Sequence, residues 1–157
     1  MRGASIDPSG YDAGKKVKGK KRHILVDTEG LLMHAIVHAA DVQDRDGGIW
    51  LLTTLFGLHP FLMKLYADAG YQGPQFQCAL KKVLKRVQLE IVKRSDRAKG
   101  FVVLPKRWIV ERTLGWFNRY RRLSTDDARR VDVREGMAYS ASIRRMLRWR
   151  DRHHNPM

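Results

Sequence analysis

The chain has 157 residues, 43% of them hydrophobic and 9% aromatic, which suits one domain with a buried core and excludes a disordered tail. Thirty-one Lys and Arg against 16 Asp and Glu give a formal charge of +15, an excess that points to a polyanionic partner, nucleic acid ahead of a basic structural role. The single Cys78 excludes an intramolecular disulfide or a cysteine-rich zinc site. No apolar run reaches the roughly 20 residues of a bilayer span and no signal-peptide pattern is present, so no membrane partner and a cytoplasmic location are expected.

In chain order, residues 1–14 (MRGASIDPSGYDAG) are small, polar and Gly/Pro-containing and read as an irregular segment. KKVKGKKRHILVDTEG starts basic and becomes a strand over 23–27, closed by a turn at Glu29-Gly30, and LLMHAIVHAA reads as a second, more buried strand of an antiparallel hairpin. The polar bend at 41–46 caps a helix through Trp50, Leu51, Leu52 and Leu55. FLMKLYADAGY is a strand over 61–67 ending in a turn at Gly70. Phe76, Leu80 and Leu84 fall at helical spacing over 74–84, and VQLEIVKRS is another strand. After a loop at 95–100, Pro105 suits the first turn of a long helix over 105–123, and a last helix covers 133–150 before a basic tail at 151–157. The order predicts an α/β layout with mixed strand directions and no internal repeat.

Asp68 falls where a strand ends, the usual place for a ligand in an α/β sheet, although an Asp opening a turn before Gly70 is common without any function. On the helix at 105–123, Val110, Leu114 and Phe117 line one side, widened by Ile109, Trp116, Tyr120 and Leu123, while Arg107, Glu111, Gly115, Asn118 and Arg122 fall on the opposite one. Glu111, one of four Glu in the chain, is flanked by Arg107, Arg112 and Arg119. It reads as half of an i,i+4 ion pair or as a carboxylate for a hard cation beside phosphate-holding arginines. Two carboxylates on separate elements of a basic domain fit Mg²⁺-assisted phosphoryl chemistry. The run Lys15, Lys16, Lys18, Lys20, Lys21, Arg22 contains no acid and suits phosphate contact. Trp108, Trp116 and Trp149 suit either the core or base stacking, and the six His form no metal pair at helical spacing.

The blocks GYDAGKKVKGKKRHILVDTEGLL, HAADVQDRDGG, YADAGYQG and EIVKRSDRAKGFVVLPKRWIVERTLGWFNRYRRLS resemble, in order and over about 10–150, the DDE transposases of the large insertion-sequence-five family. The resemblance implies an RNase H-like mixed sheet flanked by helices and a partial catalytic domain over 15–150. It also implies Mg²⁺ or Mn²⁺ as cofactor, and cleavage and joining of DNA at terminal inverted repeats and target DNA. By position, Asp68 resembles the second acid of the catalytic, metal-binding triad and Glu111 the third. Arg107 matches an arginine four residues before that glutamate. Leu104 stands where a tyrosine is often found and Asn118 where a basic residue is, with Arg119 adjacent. Arg112 and Arg122 complete the DNA-binding set. The first acid belongs to a strand resembling DSQSVRGAS, of which MRGAS matches the end, so it is expected upstream of Met1 and the sheet is expected to lack its first strand. Asp7 and Asp12 are the stand-ins within the chain. A truncated transposase domain with impaired activity is therefore expected, partnered by DNA and by a second copy or an intact transposase. A non-catalytic DNA-binding remnant is the alternative.

Overall fold

Lys18, Lys20, Lys21 and Arg22 of the basic run sit in a strand. The computed structural model describes residues 9–14, 16–93, 105–124 and 130–154, and in it β2 (Val17–Val26) extends six residues further back than the sequence suggested. Backbone pairing on both sides explains this. β2 pairs antiparallel with β3 (Leu32–Ala39) along its length, and its first residues pair with β1 (Gly10–Asp12), Gly10 opposite Gly19 and Asp12 opposite Val17. The segment read as irregular thus contains a strand. The β2–β3 turn forms as expected: the Asp27 carboxylate accepts from the amides of Glu29 and Leu31, at 2.9 and 2.8 Å, and Gly30 takes φ +77°, which costs a glycine little.

β2 alternates between two helical layers. Lys21, His23 and Leu25 face α1 (Asp44–Thr54), where Leu25 joins Leu51, Leu52, Leu55, Leu65, Phe76, Leu80 and Leu84 in one core cluster. Ile24 and Val26 pack on the other cluster, formed by Leu32, Ala35, Phe117, Leu123, Ala138 and Ala141. That second layer comprises α3 (Pro105–Phe117), α4 (Arg121–Ser124) and α5 (Val131–His154). The long helix expected over 105–123 is broken after Phe117. There the amides of Arg119 and Tyr120 bond to carbonyls three residues back, and the redirected chain buries Leu123. α5 runs past the expected end at Arg150, so residues 151–154 are helical and not tail.

β4 (Lys64–Asp68) and β5 (Gln88–Val92) pair in parallel, joined by a 3₁₀ turn (Ala69–Tyr71) and α2 (Pro74–Val83). The layout is mixed α/β as expected, and among the described residues its strands fall in two sheets, ordered β1-β2-β3 and β4-β5. Among the described residues no strand lies between β2 and β4. A cavity of about 720 Å³ opens there, walled by both strands, by α1 and by α3. No helix among the described residues is long and apolar enough to cross a membrane.

Candidate functional site

The floor of this cavity is apolar, with Ile24, Leu25, Leu51, Leu52, Leu65 and Phe76, and its rim is charged. Asp68 reaches it from the C-terminal end of β4, where its carboxylate caps the 3₁₀ turn by accepting from the Gly70 amide at 2.8 Å. Glu111 reaches the same cavity from α3, accepting from Arg107 Nε at 2.9 Å across a pair in which both side chains are about half exposed. The helix face differs from the sequence reading. Arg107, Val110, Glu111 and Leu114 all line the cavity, because i, i+3, i+4 and i+7 form one stripe. The other inward face of α3 carries Phe117 and the buried Thr113, whose hydroxyl donates to Gly30 O at 2.8 Å.

Two further carboxylates line the cavity, Asp12 from β1 and Asp44 from the first turn of α1. Lys21 Nζ lies 2.9 Å from Asp12 and 3.1 Å from Asp44 and donates to Val42 O. Burial opposes the lysine charge, but the hydrogen bonds to Asp12 and Asp44 outweigh it and raise its pKa. Asp44 carries no sequence signal beyond a helix-capping acid, so sequence reasoning passed over it. Asp7 lies outside the described residues. Among the described residues no group of three or more His, Cys, Asp and Glu is assembled to hold a metal.

The basic residues divide by environment. Lys18, Lys20, Lys21, Arg22 and Arg107 line the cavity, joined by Lys106, whose ammonium lies 4.8 Å from the Tyr66 ring centre. Lys16 occupies the exposed β1–β2 turn at φ 54°, and Arg119 is exposed after α3. Arg22 is half-buried against α5, where burial first and then the charge of Arg134 lower its pKa. Arg112 donates to Glu29 O at 3.0 Å and, with Arg145, packs on Trp116, the Arg145 guanidinium 3.2 Å from the ring centre. Trp116 therefore packs against arginines, while Trp108 and Trp149 are nearly half exposed. Lys15 and the Arg122 side chain lie outside the described residues.

Residues 3–146 match the family model described as "Transposase DDE domain". The chain is also 33% identical over 122 residues to "Putative transposase for insertion sequence element IS402" of Burkholderia cepacia, an alignment covering 73% of this chain and 56% of that protein. The chain thus spans little more than half the length of that relative. No solved structure matches it. A match over nearly the whole chain, on a basic α/β domain whose strand-end Asp68 and helical Glu111 share one cavity, carries the assignment: the chain belongs to the transposase DDE domain family.

Proposed function

We propose that this chain is a partial RNase H-like catalytic domain of a DNA transposase, spanning 15–150, that acts on the inverted-repeat ends of an insertion sequence and on target DNA. The observation that carries the reading is the convergence of Asp68 and Glu111, from a strand end and a helix, on one basic-rimmed cavity. The donor set fits one hydrated Mg²⁺ or Mn²⁺, since such ions take one or two carboxylates and keep water and phosphate oxygens as their other ligands. When bound, the ion would polarise the scissile phosphate and stabilise the oxygens entering and leaving it. Asp68 and Glu111 would hold it, and Lys18, Lys20, Lys106 and Arg107, which line the same cavity, would hold the DNA backbone at the rim. An exposed Arg–carboxylate pair contributes only about 0–1 kcal/mol, so the Arg107–Glu111 bond would be a small obstacle to Glu111 holding a metal and to Arg107 meeting a phosphate.

The first acid of the triad belongs, in this reading, on a strand between β2 and β4. The split sheet and the apolar floor beneath the gap support that placement. The second reading, a DNA-binding remnant without catalysis, is favoured by the missing three-acid cluster among the described residues and by the lysine that neutralises Asp12 and Asp44.

The test is metal-dependent nicking of inverted-repeat DNA. The 157-residue chain is expected to bind DNA without cutting it, and fusion to an Asp-bearing strand to restore cutting. Asp68→Asn or Glu111→Gln then abolishes cutting with binding nearly intact. Cleavage by the 157-residue chain alone overturns the reading of a missing first acid, and Asp7→Asn and Asp12→Asn then show which of the two supplies it. A fusion that binds but never cuts leaves the remnant reading in place.

A further inference from the structure

Asp68 sits on the smaller sheet, and the hairpin that carries most of the cavity's basic residues sits on the other, with no backbone ladder joining them among the described residues. Their relative position therefore rests on helices and side chains. Tyr71 ends the 3₁₀ turn that Asp68 begins, and its hydroxyl lies 2.6 Å from His23 Nδ1 on β2. Burial, then the nearby Asp68 and Asp44 charges, push the phenol far above its ordinary pKa, so it stays a neutral O–H. The His23 ring stacks on His38 of β3, with centroids 4.6 Å apart and planes 21° from parallel. His38 Nδ1 donates to Ala39 O at 2.8 Å, and Trp50 closes edge-on against the ring.

Two consecutive glycines inside α1 make room for this assembly. A Cβ on Gly47 would collide with Nε2 of both histidines, and one on Gly48 would lie 2.6 Å from Cδ1 of Tyr71. Each glycine costs a helix interior about 1 kcal/mol relative to alanine, and neither takes a positive φ, so close packing is what accounts for them.

We infer that Tyr71 is a positioning residue for Asp68: its hydrogen bond to His23, clamped by His38 and Gly47-Gly48, fixes the Asp68 turn against the hairpin across the cavity. This rests on the reading of Asp68 as a metal ligand. Supporting groups of that kind typically change metal affinity by about 10–100-fold when removed. Tyr71 acts through the turn and not by touching the carboxylate, so the low end applies.

Tyr139 supplies a matched control. Its hydroxyl bonds His34 Nδ1 at 2.7 Å and the Ala35 amide at 3.1 Å, the same kind of half-buried Tyr–His bond, made from α5 to β3. Tyr71→Phe and Tyr139→Phe should each lower Tm, since each removes a Tyr–His bond, and Tyr139→Phe the more, since it also removes the acceptor of the Ala35 amide. Mn²⁺ binding, followed by electron paramagnetic resonance on the full chain, should weaken roughly tenfold in Tyr71→Phe and less than twofold in Tyr139→Phe. Hydrogen exchange of the Gly70 amide, which donates to Asp68, should rise in Tyr71→Phe alone. His23→Phe keeps a ring in the stack and removes Nδ1, and it should move both readouts as Tyr71→Phe does, which keeps the test open if one variant folds poorly. Equal changes in the two tyrosine variants, or unchanged Gly70 exchange in Tyr71→Phe, overturn the inference. If the unsubstituted chain binds no Mn²⁺, the metal reading of Asp68 fails separately, and Gly70 exchange alone decides whether Tyr71 positions the turn.

Discussion

Three helix-interior glycines should respond to the same substitution with opposite signs. At Gly115 on α3 and Gly136 on α5, a Cβ meets nothing within 4 Å, so alanine brings its helix propensity without a clash and should stabilise by about 0.5–1 kcal/mol. At Gly47 the propensity gain is the same, but the new methyl meets the Nε2 atoms of both His23 and His38, which are 4% and 7% exposed. The rings cannot retreat: His23 is held by Tyr71 and His38 by Ala39 O and Trp50. Overpacking of this kind costs about 1–3 kcal/mol, and contacts this close to two held rings belong to the upper part of that range, about 2–3 kcal/mol, so Gly47→Ala should be destabilising by roughly 1–2 kcal/mol after the propensity gain is subtracted. Urea denaturation of the four proteins measures it, and in thermal unfolding the shift should be about 2–4 °C per kcal/mol for a chain of this size. A Gly47→Ala protein as stable as Gly115→Ala would refute the packing argument, and with it the clamp proposed for Tyr71.

DNA affinity should fall with salt at a log–log slope near −5 if about six Lys and Arg meet phosphates, and Lys18→Ala should flatten the slope by about one without changing sequence preference. A slope near zero would remove the electrostatic reading of the rim. Lys21→Met should cost on the order of 2 kcal/mol by leaving Asp12 and Asp44 without their shared cation, whereas Arg107→Ala, breaking an exposed pair, should cost less than about 0.5 kcal/mol in the same denaturation assay. Burial lowers the His34 pKa below 6.5, with Glu135 opposing and His59 adding to the effect. The unfolded chain then takes the proton first, so this stability is full above pH 6.5 and is lost as pH falls below it. His34→Gln should flatten the stability–pH slope between about pH 7 and 5, and an unchanged slope would show that His34 does not contribute.

What was legible in the sequence was whatever repeats with a period. The strand–turn–strand run around Asp27, the helix begun by Pro74 and the apolar positions of α3 and α5 each follow one. Asp68 at its strand end and Glu111 among arginines stood out as residues, and the resemblance gave them their places in a triad. Spacing along the chain cannot report that a strand end and a helix 43 positions apart wall one cavity. β1 was missed because three residues joined by a tight turn give no alternation to read, and the basic half of β2 because lysines at strand positions look like a loop until both neighbouring strands are in place. His23 and His38 escaped the search for pairs because they lie on different strands, diagonal in a register that only pairing defines. One signal was present and unread: two adjacent glycines inside a helix break local preference, and such breaks tend to mark close approach or function.

The four carboxylates of the cavity divide by how freely each can change partner. Asp12 and Asp44 share a largely buried ammonium that also bonds Val42 O, and dissolving that arrangement leaves the Asp12 carboxylate, 13% exposed, without that cation. They are committed to holding β1, β2 and α1 together. Glu111 holds an exposed guanidinium at little energetic advantage, and Asp68 accepts one backbone amide through Oδ1. A group that must take up a cation and a phosphate has to be able to leave its resting partner within the energy that binding supplies. On that criterion, and in the proposed reading, Asp12 and Asp44 serve structure while Glu111 and Asp68 serve exchange. The exchangeable pair is the one that converges from β4 and α3 onto the gap where, in the proposed reading, a strand bearing the first acid would lie.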